Sequence, residues 1–416
     1  MKRLILLLLL PAQLAFAQQE ITLDECYSWA RENYPNLKQL EIYSEITGLK
    51  IENLKTNFLP LATIKGQATY QSDVTKIDIP IPNMEIPSIS KDQYKIFLEF
   101  QQNIWDGGLT QTQKLIEEAV LKTNLDQLET ELYKLNEKVN QAWFSALSTQ
   151  KNKEILEVQK SILLEKIKSV ESGVKNEVVE PSNLDVIMAE ILNTEQAIME
   201  VNSGYSISLK LLSILTGKNL SNKTILKQVS GNLAKGGLNR PELLFFENQI
   251  GQLETKSILL EKLRNPKIYG FGQGGFGRPG LNMLSNEMDP YYLVGVGVSW
   301  NAFDWKKTKR EKQIIGLQKD LVNSQQETFE QNITMLLEQQ LITIEKIHKL
   351  IDSDKKIINL REKIANSSAS KLEYGTITSA DYIIDLNAAT IAQLKLETHK
   401  IQLEEATIKY NTIKGI

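Results

Sequence analysis

The sequence predicts a mainly α protein with a small amount of membrane-type β structure, arranged as a duplicated helix–strand–strand–helix unit. Three observations predict it. Anchor residues recur: Tyr34-Pro35 returns as Arg240-Pro241 and Leu59-Pro60 as Asn265-Pro266, both 206 positions on. Asn103-Ile-Trp-Asp106 returns as Asn301-Ala-Phe-Asp304, 198 positions on, so the loop between these anchors is eight residues shorter in the second copy. A heptad seam follows the first corner, where Leu121, Leu125, Leu128, Leu132, Leu135, Val139, Ala142 and Ala146 alternate steps of four and three; such a face lies along another helix in a left-handed supercoil. After Pro60 and Pro266 the apolar pattern changes to period two, the pattern of strands.

The elements follow in order. Lys2-Arg3, the apolar run Leu4 to Leu10 and Ala15-Phe16-Ala17 read as a secretory signal over residues 1–17. The first copy spans 18–216, a linker or equatorial segment 217–238, and the second copy 239–416. Leu23–Asn57 and Leu184–Leu215 are expected as helices of about 50 Å each, and Asp106 to about Val170 as one rod of about 93 Å. In the second copy, Pro241–Arg264 and Ala380–Ile413 are the matching shorter helices, and Lys306 to about Asn366 the rod. There Ile333, Leu337, Leu341, Ile344, Ile347 and Ile351 drift in phase, so local unwinding is expected.

Four strands are expected, at 61–70, 94–104, 267–276 and 291–303. In the first, Ala62, Ile64, Gly66, Ala68 and Tyr70 alternate with Thr63, Lys65, Gln67 and Thr69. In the second, Tyr94, Ile96, Leu98 and Phe100 oppose Lys95, Glu99 and Gln101; the fourth carries Tyr292, Val294, Val296, Val298 and Trp300 at matching places. One apolar and one polar face is the lipid-out, lumen-in pattern of a membrane barrel strand, although a soluble sandwich also alternates. The third strand is glycine-rich and is placed by its position in the repeat. Tyr70, Tyr94, Trp105, Tyr269, Tyr291, Tyr292 and Trp305 fall near strand ends, where interfacial aromatics belong. Four membrane strands cannot close a barrel, whose smallest members have about eight, so several copies must share one. The loops at about Gln71–Asp92, with Pro80, Pro82 and Pro87, and Gly277–Pro290, with Pro279, read as polar, exposed hairpin tips.

Composition excludes other classes. A net charge of −3 with 24% charged residues gives no single-signed field for nucleic acid. No apolar run reaches the roughly 18 residues of a transmembrane helix. Two histidines, His348 and His399, and one cysteine, Cys26, are too few for a metal cluster; the histidines read as solvated or interhelical and Cys26 as a half-buried helical thiol. The acids Asp24 and Glu25 before Cys26 argue against a lipid anchor. Gly270-Phe-Gly-Gln-Gly-Gly275 imitates a phosphate loop but lacks the following helix and βαβ setting. No nucleophile–base pair or carboxylate dyad stands out, so no enzyme activity is expected.

This order of elements, with the doubled Trp105-Asp106 and Phe303-Asp304 corners and with Tyr374-Gly375-Thr376 followed by Asp381, resembles the TolC-like outer-membrane efflux family over nearly the whole mature chain. The resemblance implies a homotrimer with a twelve-stranded barrel in the outer-membrane lipid and a periplasmic α-barrel of coiled helices. It implies a periplasmic adaptor and an inner-membrane pump as partners, and neither cofactor nor chemistry. It makes Asp381 a candidate for the aperture at the helical tip, with Asp185 aligned to it at an offset of 196, and puts Val179 opposite Gly375. Tyr374, Gly375, Thr376, Val179, Glu180 and Pro181 become adaptor-contact candidates. Where such sequences carry a second acid three residues after Asp381, this one has Ile384, with Asp385 one step late. Three copies of one carboxylate around a narrow axis would favour cations; equally, an Asp in a first helical turn stabilises the helix dipole or caps it. For Asp106 and Asp304 capping is the expectation. The competing functional reading is a periplasmic coiled-coil adaptor or scaffold with a soluble β domain, although an adaptor usually has one hairpin rather than two strand-bracketed rods.

Overall fold

The computed structural model describes residues 20–75, 89–222, 224–229 and 231–416. The expected signal at 1–17 and the prolines Pro80, Pro82 and Pro87 lie outside the described residues. The elements run β1 (Glu20–Ile21), α1 (Leu23–Asn33), α2 (Gln39–Lys55), β2 (Leu61–Tyr70), β3 (Asp92–Trp105), α3 (Leu109–Tyr133), α4 (Leu135–Lys175), α5 (Pro181–Thr216), β4 (Ile225–Leu226), α6 (Pro241–Lys262), β5 (Lys267–Arg278), β6 (Asp289–Ser299), α7 (Lys307–Glu373) and α8 (Ser379–Lys414). They fall into two units. One is all-helical but for the two-residue β1–β4 ladder and contains Glu129–Pro241, Phe329–Ile416 and the residues up to Leu37; the other, Lys38–Leu128 with Glu242–Thr328, contains the four-stranded sheet.

Two helix expectations need correction. The helix foreseen over Leu23–Asn57 is broken at Tyr34, which is extended (ψ 122°), because a residue before proline is pushed out of the α region; a short 3-10 turn, Pro35–Lys38, then leads into α2. The rod of the second copy, whose seam drifts in phase, is α7, one uninterrupted helix of 67 residues. The interruption lies in the first copy at Lys134, whose ψ of −18° is that of a tighter turn. Leu128, Leu132, Leu135 and Val139 stay buried across it. A heptad seam needs fewer residues per turn than an ideal helix supplies, and one tight turn makes up the difference.

The core of the helical unit grows from the predicted seam. Trp143, Val139, Ala146 and Leu147 of α4 are fully buried against Leu209 and Leu212 of α5 and Cys26 and Ala30 of α1. Each large apolar side chain so buried stabilises the fold by about 1.5–3 kcal/mol. Cys26 is fully rather than half buried, and burial, aided by Glu25, pushes its thiol up to about 12. A second cluster, with Leu163, Val170, Ile187, Leu372, Tyr382 and Leu386, joins the ends of the two helical hairpins. His399 is interhelical: its Nδ1 lies 2.5 Å from Oδ2 of buried Asp354 on α7.

In the other unit the sheet is antiparallel in the order β2-β3-β5-β6, so the hairpins of the two copies join through β3 and β5. Register aligns the expected faces. Ile64 pairs with Leu98, Leu98 with Gly274 and Gly274 with Tyr292, giving an exposed apolar face, while Thr63, Glu99, Gln273 and Leu293 line up on the other. The weakly polarised third strand is explained on that second face. Gly295 and Gly297 of β6 leave room for the rings of Phe271 and Tyr269, which a Cβ at either glycine would meet at 2.7 and 2.5 Å. The loop after β5 is less polar than expected, with Leu281, Met283, Leu284 and Met288 exposed; Asn286 ties it to Ser90 through two 2.9 Å hydrogen bonds.

Candidate functional site at the helical turns and the sheet faces

Both helical hairpins turn in the same manner, and the hydrogen bonds set their equivalence. In the second, Gly375 is left-handed (φ 66°), its N–H donates to Leu372 O (3.0 Å) and that of Thr376 to Lys371 O (2.9 Å). In the first, Glu177 is left-handed (φ 58°), with its N–H to Val174 O (3.0 Å) and that of Val178 to Gly173 O (2.9 Å). These are the bonds of a helix C-terminal cap that needs a left-handed residue, usually glycine. Glu177, not Val179, is therefore the partner of Gly375, at an offset of 198. The same offset relates Leu109 to Lys307, Lys175 to Glu373, Pro181 to Ser379 and Gly217 to Gly415. It pairs Asp381 with Asn183, so Asp185 does not stand in the equivalent place; aligning Asp185 on Asp381 rather than matching the cap hydrogen bonds shifts the register by two.

Asp381 is the third residue of α8 and closes a capping box. Its carboxylate accepts from the Thr378 hydroxyl (2.6 Å) and N–H (3.1 Å), and its own N–H donates to Thr378 Oγ1 (3.2 Å). Those bonds, the hydroxyl's first, hold its carboxyl below the usual carboxylate range. It remains exposed, as does Asp185 one turn into α5. Asn183 instead reaches the other hairpin: Ser379 N–H donates to Asn183 Oδ1 at 2.8 Å. Asp385 accepts from the Ser368 hydroxyl.

Tyr374, Gly375, Thr376, Glu180 and Pro181 lie exposed along the turns. Val179 is half-buried and packs on Gly173, where a Cβ would meet its Cγ2 at 2.7 Å. Val178, 77% exposed, is the apolar side chain this turn presents; the sequence reading missed it and Asn183, and the 198 offset would have found both. Deeper between the hairpins a polar ladder crosses three helices: Gln159 Nε2 donates to Asn387 Oδ1 (2.7 Å) and Asn387 Nδ2 to Glu190 Oε1 (2.9 Å).

On the sheet, the apolar face carries Ile64, Tyr70, Ile96, Phe100, Tyr292, Val294, Val296 and Val298, all exposed. The outer edges of β2 and β6 have no strand partner among the described residues. Each β-to-α corner is capped by its aspartate. Asp106 accepts from Thr110 N–H (2.7 Å) and Gly108 N–H (3.0 Å), and Asp304 from Thr308 N–H (2.9 Å) and Lys306 N–H (3.0 Å). Among the described residues no three His, Cys, Asp or Glu side chains cluster as metal ligands, and no helix is long and apolar enough to cross a membrane.

No protein-family model and no curated sequence matches the chain. Solved structures do. The CmeC outer membrane channel of Campylobacter jejuni superposes with a TM-score of 0.63 at 15% identity, over 94% of this chain and 85% of that one. VceC, an outer membrane protein of Vibrio cholerae, gives 0.63 at 11% over 93% and 95%, and the open MtrE outer membrane channel of Neisseria gonorrhoeae 0.63 at 14% over 94% and 88%. The chain has the TolC-like fold, mainly helical with a small β-sheet, over nearly its whole length.

Proposed function

We propose that this protein is an outer-membrane exit duct. Three copies close a twelve-stranded barrel in the outer membrane, their helices form a periplasmic tunnel, and exported molecules handed over by an inner-membrane pump and a periplasmic adaptor leave through it. The observation that carries this reading is the sheet: four strands, two edges unpaired among the described residues, and one exposed face that is apolar along most of its length. In hydrocarbon an unpaired strand edge costs several kcal/mol per polar group, so the edges must meet other strands; identical copies related by rotation supply them. The helical unit has exposed apolar stripes, Met188, Leu192, Met199, Ile207, Leu211 and Ile214 on α5 and Met335, Ile342, Leu350, Ile357 and Leu360 on α7, suited to neighbouring copies.

In this reading the helical turns form the inner end of the duct. Tyr374, Gly375, Thr376, Glu180 and Pro181 meet the adaptor, with Val179 seating the turn from within. Asp381 and Asp185 contribute negative charge near the aperture, Asp381 while also capping α8. The protein does no chemistry of its own. Protein solubilised from the outer-membrane fraction is expected to sediment as a trimer and to give discrete conductance steps in planar bilayers; a water-soluble monomer without conductance overturns the duct.

A further inference from the structure

The two β-to-α corners share a backbone path but not a chemistry. At the first corner the residues after Asp106 are Gly107 and Gly108, left-handed at φ 72° and 86°. At the second, the residues after Asp304 are Trp305 and Lys306, also left-handed at φ 53° and 61°. Non-glycine residues resist this conformation, and it persists where the side chain has a use. Gly107 has no choice, because a Cβ there would stand 2.4 Å from that of Asn265. Trp305 is 87% exposed, and nearby Phe303 and Trp300 are 88% and 64% exposed, just beyond the apolar row that ends at Val298.

Charge differs as sharply. Lys306, Lys307, Lys309, Arg310 and Lys312 crowd the start of α7, against one cation, Lys114, over the matching stretch of the first copy. The positive end of a helix dipole disfavours cations, and although the Asp304 carboxylate caps this helix start, no acid stands in the first turn of α7 itself. Arg310 donates to Trp305 O (3.1 Å) and Lys312 pairs with Glu261, but Lys306, Lys307 and Lys309 make no ion pair among the described residues. Beside them is an open cleft of about 670 Å³ whose lining includes Arg264, Trp300, Thr308, Lys309 and Lys312, together with Glu261, whose carboxylate is taken up by Lys312. Trp300 forms one wall, held by its Nε1–H donating to Arg264 O at 3.0 Å.

We infer that this corner binds the phosphodiester headgroup of an anionic phospholipid in the leaflet facing the helices, with Lys309 and Arg264 on the phosphate, Lys306 and Lys307 flanking it, and Trp305 and Phe303 among the acyl-chain ends. Cations converge beside an open cleft, which suits a phosphate, and on a sheet that spans a bilayer the aromatic side chains just past its apolar row fall where interfacial rings belong. The inference rests on the sheet spanning a bilayer.

The test uses the full chain in lipid nanodiscs of phosphatidylcholine with graded phosphatidylglycerol, followed by native mass spectrometry of the lipids retained. A basic side chain near an anionic surface strengthens binding roughly fivefold, so three give on the order of a hundredfold. Wild type is expected to keep phosphatidylglycerol over phosphatidylcholine by about tenfold or more, less at high salt. Lys306→Gln with Lys307→Gln and Lys309→Gln should reduce that preference to near unity, and Trp305→Gly with Lys306→Gly, which copies the first corner, should weaken it without loss of helix content. Equal retention of the two lipids by wild type overturns the inference, as does a triple variant with unchanged preference. If the Gly-Gly variant keeps its lipid but falls apart into monomers, the corner is a subunit contact and the lipid assignment fails. Failure of wild type to enter any bilayer removes the duct and this inference together; entry without headgroup preference removes this inference alone.

Discussion

Gly375 and Gly415 are both left-handed helix caps, at φ 66° and 95°, but their surroundings differ, and replacing each by alanine separates backbone strain from collision. A Cβ at Gly375 would meet nothing within 4 Å. Holding an L-residue left-handed costs about 1–2 kcal/mol, and alanine returns about 0.4–1 kcal/mol by restricting the unfolded chain, so Gly375→Ala should destabilise by about 1 kcal/mol. At Gly415 the same Cβ would lie 2.2 Å from Asn239 O, 2.3 Å from its carbonyl carbon and 2.8 Å from Arg240 N. These are backbone atoms, which cannot turn aside as a side chain can, and overpacking of this kind adds about 1–3 kcal/mol. Gly415→Ala should therefore cost about 2–4 kcal/mol. The reciprocal change, Glu177→Gly, relieves the strain at φ 58° and should stabilise by about 0.5–1 kcal/mol, the same two contributions with opposite sign. Urea unfolding of the detergent-solubilised protein, followed by helical circular dichroism, measures all three. Equal costs at Gly375 and Gly415, or a destabilised Glu177→Gly, would refute the reasoning.

Three other outcomes are expected. Asp106 is 6% exposed, and although burial works to raise its pKa, hydrogen bonds from the Thr110 hydroxyl and from the N–H groups of Thr110, Gly108 and Leu109 hold it below the usual carboxylate range. Its contribution to stability is thus present above about pH 4 and lost as pH falls through the lower folded-state value; Asp106→Ala should cost about 2 kcal/mol at neutral pH, and Asp106→Asn less, with a flatter acid limb in pH-dependent melting. Val296→Arg, on the exposed apolar face, should impair barrel assembly by about 2–4 kcal/mol if the site is near the midplane, read as lost heat-resistant trimer on gels; normal assembly would mean that the face is not in lipid. Asp381→Asn keeps a hydrogen-bonding side chain but removes the charge, so reduced cation selectivity in planar bilayers supports the aperture role, whereas wild-type selectivity in both Asp381→Asn and Asp381→Ala leaves only the cap.

Much was legible because it is local. Pro60 and Pro266 stop helices, alternation resumes at the next residue, and the strands follow within two residues of expectation at most ends. The Leu121-to-Ala146 seam needed only its spacing, since a side chain's place on a helix depends on the count of residues to its neighbours. The corner aspartates are caps because an aspartate before a helix has nearby N–H groups to satisfy. The tip was less legible. Asp381 and the exposed Tyr374-Gly375-Thr376 turn were visible, but the equivalences Glu177–Gly375 and Asn183–Asp381 followed only from carrying the corners' 198 offset to the tip, because a left-handed glutamate has no sequence signature of its own.

By itself the sequence determined the duplicated order of helices and strands, the apolar face of the sheet and the sites of the caps, all set by periodicity and neighbouring residues. Tertiary structure alone decided that β3 pairs with β5, that the first rod tightens at Lys134 while α7 runs unbroken, that Asn183 secures the N-terminus of α8, and that aromatic rings on one strand fill the space left by glycines on the next. Each of these depends on groups far apart in the chain coming within a few ångströms, and the free energy of such contacts is not encoded at either residue alone.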